Sequence, residues 1–158
     1  MVTLMTIKPK TTPAFSLSVQ YASHAKYLPT RAQCRRWVKA ALQQSAQITL
    51  RLVDEAEGLQ LNTQFRHKKY PTNVLTFVYD EGTMLSGDIV LCAPVVEAQA
   101  KAQKKTREAH YAHLVVHGVL HLQGYDHEKI RDARIMETLE TAIMHKLGYA
   151  NPYNDLPQ

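Results

Sequence analysis

The chain has 158 residues, 45% apolar and 21% charged, enough for one globular domain with its own core. Its net charge of +5 favours anionic partners, with nucleic acid the commonest. Its two widely separated cysteines, Cys34 and Cys92, exclude a fold built on disulfides and read as small buried apolar residues in a reduced compartment.

Residues 1–12 read as a loose end with no secretory leader, so a cytoplasmic location is expected. No stretch is apolar enough to span a bilayer; the longest, 114–122, is interrupted by His117 and His121. Over 14–20, Phe15, Leu17 and Val19 alternate with Ser16, Ser18 and Gln20, the pattern of a half-buried strand. Thr30 and Gln33 have capping-box spacing, which opens a helix to about Ser45 with Trp37, Val38, Ala41 and Leu42 inward. Ile48, Leu50 and Leu52 mark a second strand. A short helix over 55–65, weakened by Gly58, comes next, then strands at 74–78 and 88–92.

From Pro94 the pattern is helical, with alanines and lysines through 105. A helix from about Thr106 to Gln123 stops at Gly124, and Asp126 is placed to cap a last helix over 128–147, closed by Gly148. Residues 151–158 are too rich in Pro and Asn to be regular and read as a second loose end. The expected fold is a single α+β domain over 1–158 with its core at about 15–150: one small mixed sheet, about five helices, and a metal site at the end of a central helix. There is no repeat and no linker that would divide it.

The chemistry concentrates in His117-Gly118-Val119-Leu120-His121-Leu122-Gln123-Gly124-Tyr125-Asp126-His127. Residues four apart share a helix face, so His117 and His121 can aim at one point. Gly124 lets the chain reverse and return His127 to the same place. Three imidazoles suit one zinc ion and leave its fourth position open, the mark of a catalytic rather than a structural site. His113, on the same face, supports a ligand from behind, lines the cleft or, equally, packs as a polar group near the sheet, the reading preferred for His110.

The same spacing occurs in zinc peptidases, which carry a glutamate base after the first histidine. That slot is Gly118 here, so the metal is expected without peptidase chemistry. Upstream, Arg66, Lys68 and Lys69 precede a turn and a strand and form a candidate phosphate-binding segment. Lys101, Lys104, Lys105 and Arg107 form a second basic run, readable as a solvated face or as a track for a phosphate backbone.

The histidine block closely resembles the signature of the YbeY proteins, bacterial endoribonucleases also described as ribosomal RNA maturation factors. Asn62-x-x-Phe65-Arg66-x-Lys68 with Pro71-Thr72-Asn73-Val74-Leu75-Thr76-Phe77 resembles a second family block, and Gly87-Asp88-Ile89-Val90-Leu91-Cys92 a third, in the family's order. Lys69, Asn73, Thr76 and Val78 depart from the usual aspartate, aspartate, serine and proline; Thr76 keeps a hydroxyl. The resemblance covers about 15–150. It implies cleavage of single-stranded RNA, maturation of the 3′ end of small-subunit ribosomal RNA and ribosome quality control, with the small ribosomal subunit as partner. It also implies that His117, His121 and His127 hold the metal and that Arg66 is the key cleft arginine. The proton acceptor stays open among metal-activated water, Asp88 and the RNA 2′-hydroxyl; Asp88 can equally brace its strand. A zinc hydrolase of peptides and a non-enzymatic, metal-braced ribosome assembly factor are the competing readings.

Overall fold

The period-two segments become strands and the period-3.6 segments helices, because each form buries one apolar face. The computed structural model describes residues 13–79 and 84–154. Among them lie β1 (Phe15–Ala22), β2 (Ala46–Val53), β3 (Val74–Tyr79) and β4 (Leu85–Cys92), with helices α1 (Arg31–Ala41), α2 (Glu55–Arg66), α3 (Ala93–Ala102), α4 (Arg107–Leu122) and α5 (Ile130–Leu147). The sheet runs β1-β2-β4-β3; β1, β2 and β4 are parallel, and β3 pairs antiparallel with β4 at the edge. The expected mixed sheet with five helices is therefore found. No described helix is long and apolar enough to cross a membrane.

Two clusters cover the two sheet faces. Ile48, Leu50, Leu52, Ile89 and Leu91 face α1, α4 and α5 in the main core. Val53, Leu75, Val90 and Cys92 form a smaller cluster on the opposite face, with Leu61 of α2 packed against it. Both cysteines are buried and free, as read from the sequence. Trp37, Val38, Ala41 and Leu42 are buried as expected. Each large aliphatic or aromatic side chain fully buried in this way stabilises the fold by roughly 1.5–3 kcal/mol.

Local chemistry sets the helix ends. The Thr30–Gln33 capping box is complete: Gln33 N donates to Thr30 Oγ1 at 3.1 Å and Thr30 N to Gln33 Oε1 at 2.9 Å. Leu42 already has extended backbone, so α1 ends at Ala41 rather than near Ser45. Gly124 (φ +100°) and Gly148 (φ +94°) take the left-handed turns their positions suggest.

Two expectations need correction. Asp126 does not cap α5, which starts at Lys129–Ile130 without a side-chain cap. Its Oδ1 instead accepts from His127 N (2.6 Å) and Glu128 N (3.2 Å), a local turn that competes with capping. Nor is the start of the tail loose. Pro152 is buried and its carbonyl accepts from Lys105 Nζ at 2.6 Å, while Tyr153 reaches back to α5. The 1–12 segment and residues 155–158, also expected to be loose, lie outside the described residues.

Candidate functional site

Helix α4 is the central element, buried along Leu114, Val115, Val116, Val119, Leu120 and Leu122. Its last turns lie close on the sheet. A Cβ at Gly87 of β4 would stand 2.7 Å from Leu122 Cδ2 and 2.8 Å from the Phe77 carbonyl oxygen, so only glycine allows this approach. A Cβ at Gly118 would stand 3.1 Å from Ile89 Cγ2. Gly118 thus faces the sheet, and a glutamate there would be driven into the core. The absence of a peptidase base has a packing cause as well as a chemical consequence.

The three predicted histidines come together. Ring centres are 5.3 Å apart for His117–His127, 6.0 Å for His121–His127 and 6.3 Å for His117–His121. A tetrahedral zinc with Zn–N of about 2.0–2.1 Å would set ligand ring centres roughly 5 Å apart. One edge of the triangle has that length and two are wider; among the described residues no group of His, Cys, Asp or Glu is in closed metal-ligand geometry.

The hydrogen bonds favour metal binding. The Nδ1–H of His117 donates to Glu140 Oε1 at 3.0 Å, and that of His121 to the Tyr125 carbonyl at 2.9 Å. Carboxylate and carbonyl oxygens only accept, so each Nδ1 carries the proton and each Nε2 keeps its lone pair. A backbone or carboxylate partner behind the ring is the usual support for a histidine ligand. His127 is held by the Asp126 turn and is exposed. The donor set thus fits the metal that the sequence motif implies.

Glu140 is the residue that sequence reasoning missed. It is completely buried in α5 and also accepts from His113 Nε2 and, at 2.5 Å, from Tyr153 Oη. Burial pushes its carboxyl up, but the hydrogen bonds from His113 and His117 outweigh burial and hold it at about 2. The signal was present: Glu140 interrupts the buried stripe Met136, Met144 and Leu147 of α5, and a lone carboxylate on such a stripe needs a partner. His113 therefore supports His117 through Glu140. His110, buried and neutral, donates Nε2–H to Gln99 Oε1 at 3.0 Å, the polar packing expected of it. The same oxygen accepts from Asn73 Nδ2 at 3.0 Å, a bond an aspartate at 73 would not make.

Arg66 lies at the end of α2 and is exposed. Its Nη2 donates to the Thr76 carbonyl on edge strand β3 at 3.1 Å, and its Cζ lies 6.0 Å from the Phe77 ring centre. Phe65 meets Phe77 edge-on at 5.2 Å. Buried Asn62 pins the following loop: its carbonyl accepts from Lys68 N at 3.2 Å and its Nδ2 donates to the Tyr70 carbonyl at 2.6 Å. Lys68 and Lys69 are exposed on that loop. Thr76 pairs with Ile89, the residue under Gly118, which places the strand holding Arg66 next to the one on which α4 rests. Asp88 points to the other face of β4 from Ile89 and accepts from Tyr79 Oη at 2.5 Å. That is the bracing role, on the face opposite α4.

The second basic run lies at the other end of α4; Arg107 and His121 are separated by on the order of 20 Å along the axis. Lys105 is spent on the Pro152 carbonyl and Arg107 lies 4.3 Å from the Tyr27 ring centre.

Comparison with known proteins shows the family of the chain. The family model described as Endoribonuclease YbeY matches residues 19–148. The endoribonuclease YbeY of Nitrosospira multiformis is 55% identical over 152 residues, covering 87% of this chain and 80% of that protein. That of Aromatoleum aromaticum is 60% identical over 125 residues, covering 79% and 81%. A solution structure from Thermotoga maritima, 24% identical, aligns with a TM-score of 0.52 over 87% of this chain and 99% of that one, a likeness of fold. The chain belongs to the endoribonuclease YbeY family.

Proposed function

We propose that the chain is a zinc-dependent endoribonuclease that cuts single-stranded RNA in the cytoplasm, acting on the 3′ end of small-subunit ribosomal RNA and on the small ribosomal subunit. The observation that carries this reading is the histidine triangle, with Nδ1 of His117 and His121 tied from behind so that their Nε2 atoms are uncommitted. His117, His121 and His127 would hold one zinc ion per chain, leaving a coordination position for water or substrate. When bound, such an ion supplies a water of lowered pKa and a Lewis acid for a phosphoryl oxygen.

The chain's own residues do the rest. Glu140 and the Tyr125 carbonyl keep the imidazole rings from turning. Arg66, steadied by the Thr76 carbonyl and the Phe77 face, would offset charge developing on the phosphoryl oxygens. Lys68 and Lys69 would attract the backbone, and exposed Phe65 offers an unpaired base a stacking surface. Asp88, whose carboxylate accepts from Tyr79, is assigned no proton transfer.

The test is cleavage of a labelled single-stranded RNA, alone and on ribosomal particles, with metal content measured on the same samples. His117→Ala should lose both metal and cleavage. Arg66→Ala should keep fold and metal and lose about 10²–10³ in rate. A metal-loaded wild type that cuts no RNA in either setting overturns the proposal. Full RNA processing by Arg66→Ala would favour a non-enzymatic assembly role.

A further inference from the structure

A second set of cations lies away from the histidines, and each is set against an aromatic ring. Arg35 Cζ lies 4.5 Å from the Phe15 ring centre, Arg31 Cζ 4.8 Å from Tyr21 and Arg107 Cζ 4.3 Å from Tyr27; Lys26 Nζ, at 5.7 Å, shares Tyr27. None of the four is in an ion pair among the described residues, where the arginine ion pair is Arg51–Glu57 on another part of the sheet. Arg31 gives one N–H to the Val19 carbonyl at 3.4 Å. Glu108, the carboxylate within this group, accepts from Gln33 Nε2 at 2.8 Å, a bond that joins the N-terminal ends of α1 and α4.

Two hollows flank the first turn of α1. One, of about 370 Å³, is bounded by Arg31, Arg35 and β1; the other, of about 470 Å³, lies between Tyr27, Gln33 and Arg107. Unpaired positive charge at this density favours an anion. An arginine lying over a ring keeps N–H groups available to phosphate while the ring limits its movement. Tyr27, 57% exposed between two cations, has the character of a stacking platform for a base. A strand of phosphates and unstacked bases matches both features; an acidic peptide would match only the charge.

We propose that the cations on the two flanks of the first turn of α1 form a second contact surface for single-stranded RNA, gripping the strand near the N-terminal end of α4, where Arg107 lies on the order of 20 Å along the helix axis from His121. The proposal rests on the reading of RNA as substrate. It predicts a length threshold: short RNA reaches only the histidine site, whereas longer RNA reaches both.

The experiment uses full-length, zinc-loaded protein with single-stranded RNAs of about 4 and about 16 nucleotides, spanning the usual site sizes. Binding is followed by fluorescence anisotropy across a salt series, with cleavage assayed in parallel. In Arg31→Gln/Arg35→Gln/Arg107→Gln the longer RNA should bind at least about tenfold more weakly. Its salt slope should fall by about 2, since each lost phosphate contact removes roughly 0.7 for single strands. Cleavage of the short RNA and metal content should not change. If the triple variant melts early, Arg107→Gln alone should lower the slope by about 0.7.

Unchanged affinity and slope for the longer RNA would overturn the proposal, and so would an equal loss on both lengths. A face that bound polyglutamate while the variant left RNA binding intact would belong to an acidic protein, which also overturns it. A wild type that binds the longer RNA but cuts neither length refutes the endonuclease reading alone, because the slope difference still judges the surface. One that binds neither refutes both.

Discussion

His117 of α4 and Glu140 of α5 are joined by an Nδ1–H···Oε1 bond of 3.0 Å, and the carboxylate that accepts it has no exposure to solvent. The same carboxylate takes up His113 and Tyr153, so one buried charge organises two helices and the chain after α5.

Replacing Glu140 with Gln keeps the volume but removes the charge and one acceptor. Zinc affinity should fall about 10–100-fold, measured by competition with a chelator. Glu140→Ala should in addition cost about 1–3 kcal/mol in urea unfolding, because buried donors lose their acceptor. Unchanged zinc affinity in Glu140→Gln would remove Glu140 from the site.

Tyr153→Phe tests the tail contact. Loss of the hydroxyl that donates to Glu140 Oε2 should destabilise the fold by about 1 kcal/mol. Its effect on zinc affinity should be smaller than that of Glu140→Gln, since the His117 bond persists. Equal stability of variant and wild type would show that residues 151–154 contribute nothing to this cluster.

Gly87→Ala should destabilise by about 1–3 kcal/mol, because the new methyl meets both Leu122 and a backbone carbonyl that cannot move aside. Gly118→Ala should cost less: the contact with Ile89 is looser, and alanine gains up to about 1 kcal/mol of helix propensity. Thermal melts of the two variants give the order directly. The reverse order would contradict the close approach of α4 to β4.

His110 predicts a pH dependence. Burial, then the charges of His113 and Lys105, push its pKa down from 6.5 to about 4. Between those values the unfolded chain binds the proton and the folded chain does not, so stability falls as pH drops from about 6.5 towards 4. The cost is absent above this window and reaches at most about 3 kcal/mol below it, at 1.36 kcal/mol per unit. His110→Gln should flatten this part of the curve in urea unfolding at several pH values. An unaltered slope would show that His110 is not its source.

The sequence by itself determined whatever depends on neighbours along the chain. The spacing of His117, His121 and His127 around Gly124, the Thr30–Gln33 box and the alternation in β1 and β2 are local patterns, and a helix or strand turns them into faces without outside help. Only the tertiary structure decided which faces meet. Glu140 lies 23 residues from His117 and becomes its partner because α5 packs on α4. Asp88 is one residue from Ile89, yet the strand's alternation turns it away from α4 and to Tyr79. Asp126 is a residue type that caps helices and stands just before the helical pattern, but its carboxylate bonded to the two amides that follow it, and α5 began later. Residues 151–158 looked unstructured by composition, yet Pro152 and Tyr153 are held by two side chains distant in sequence, Lys105 and Glu140. Local propensity specifies the elements; burial of their apolar faces, and the need to satisfy each polar group carried inside with them, specifies the partners.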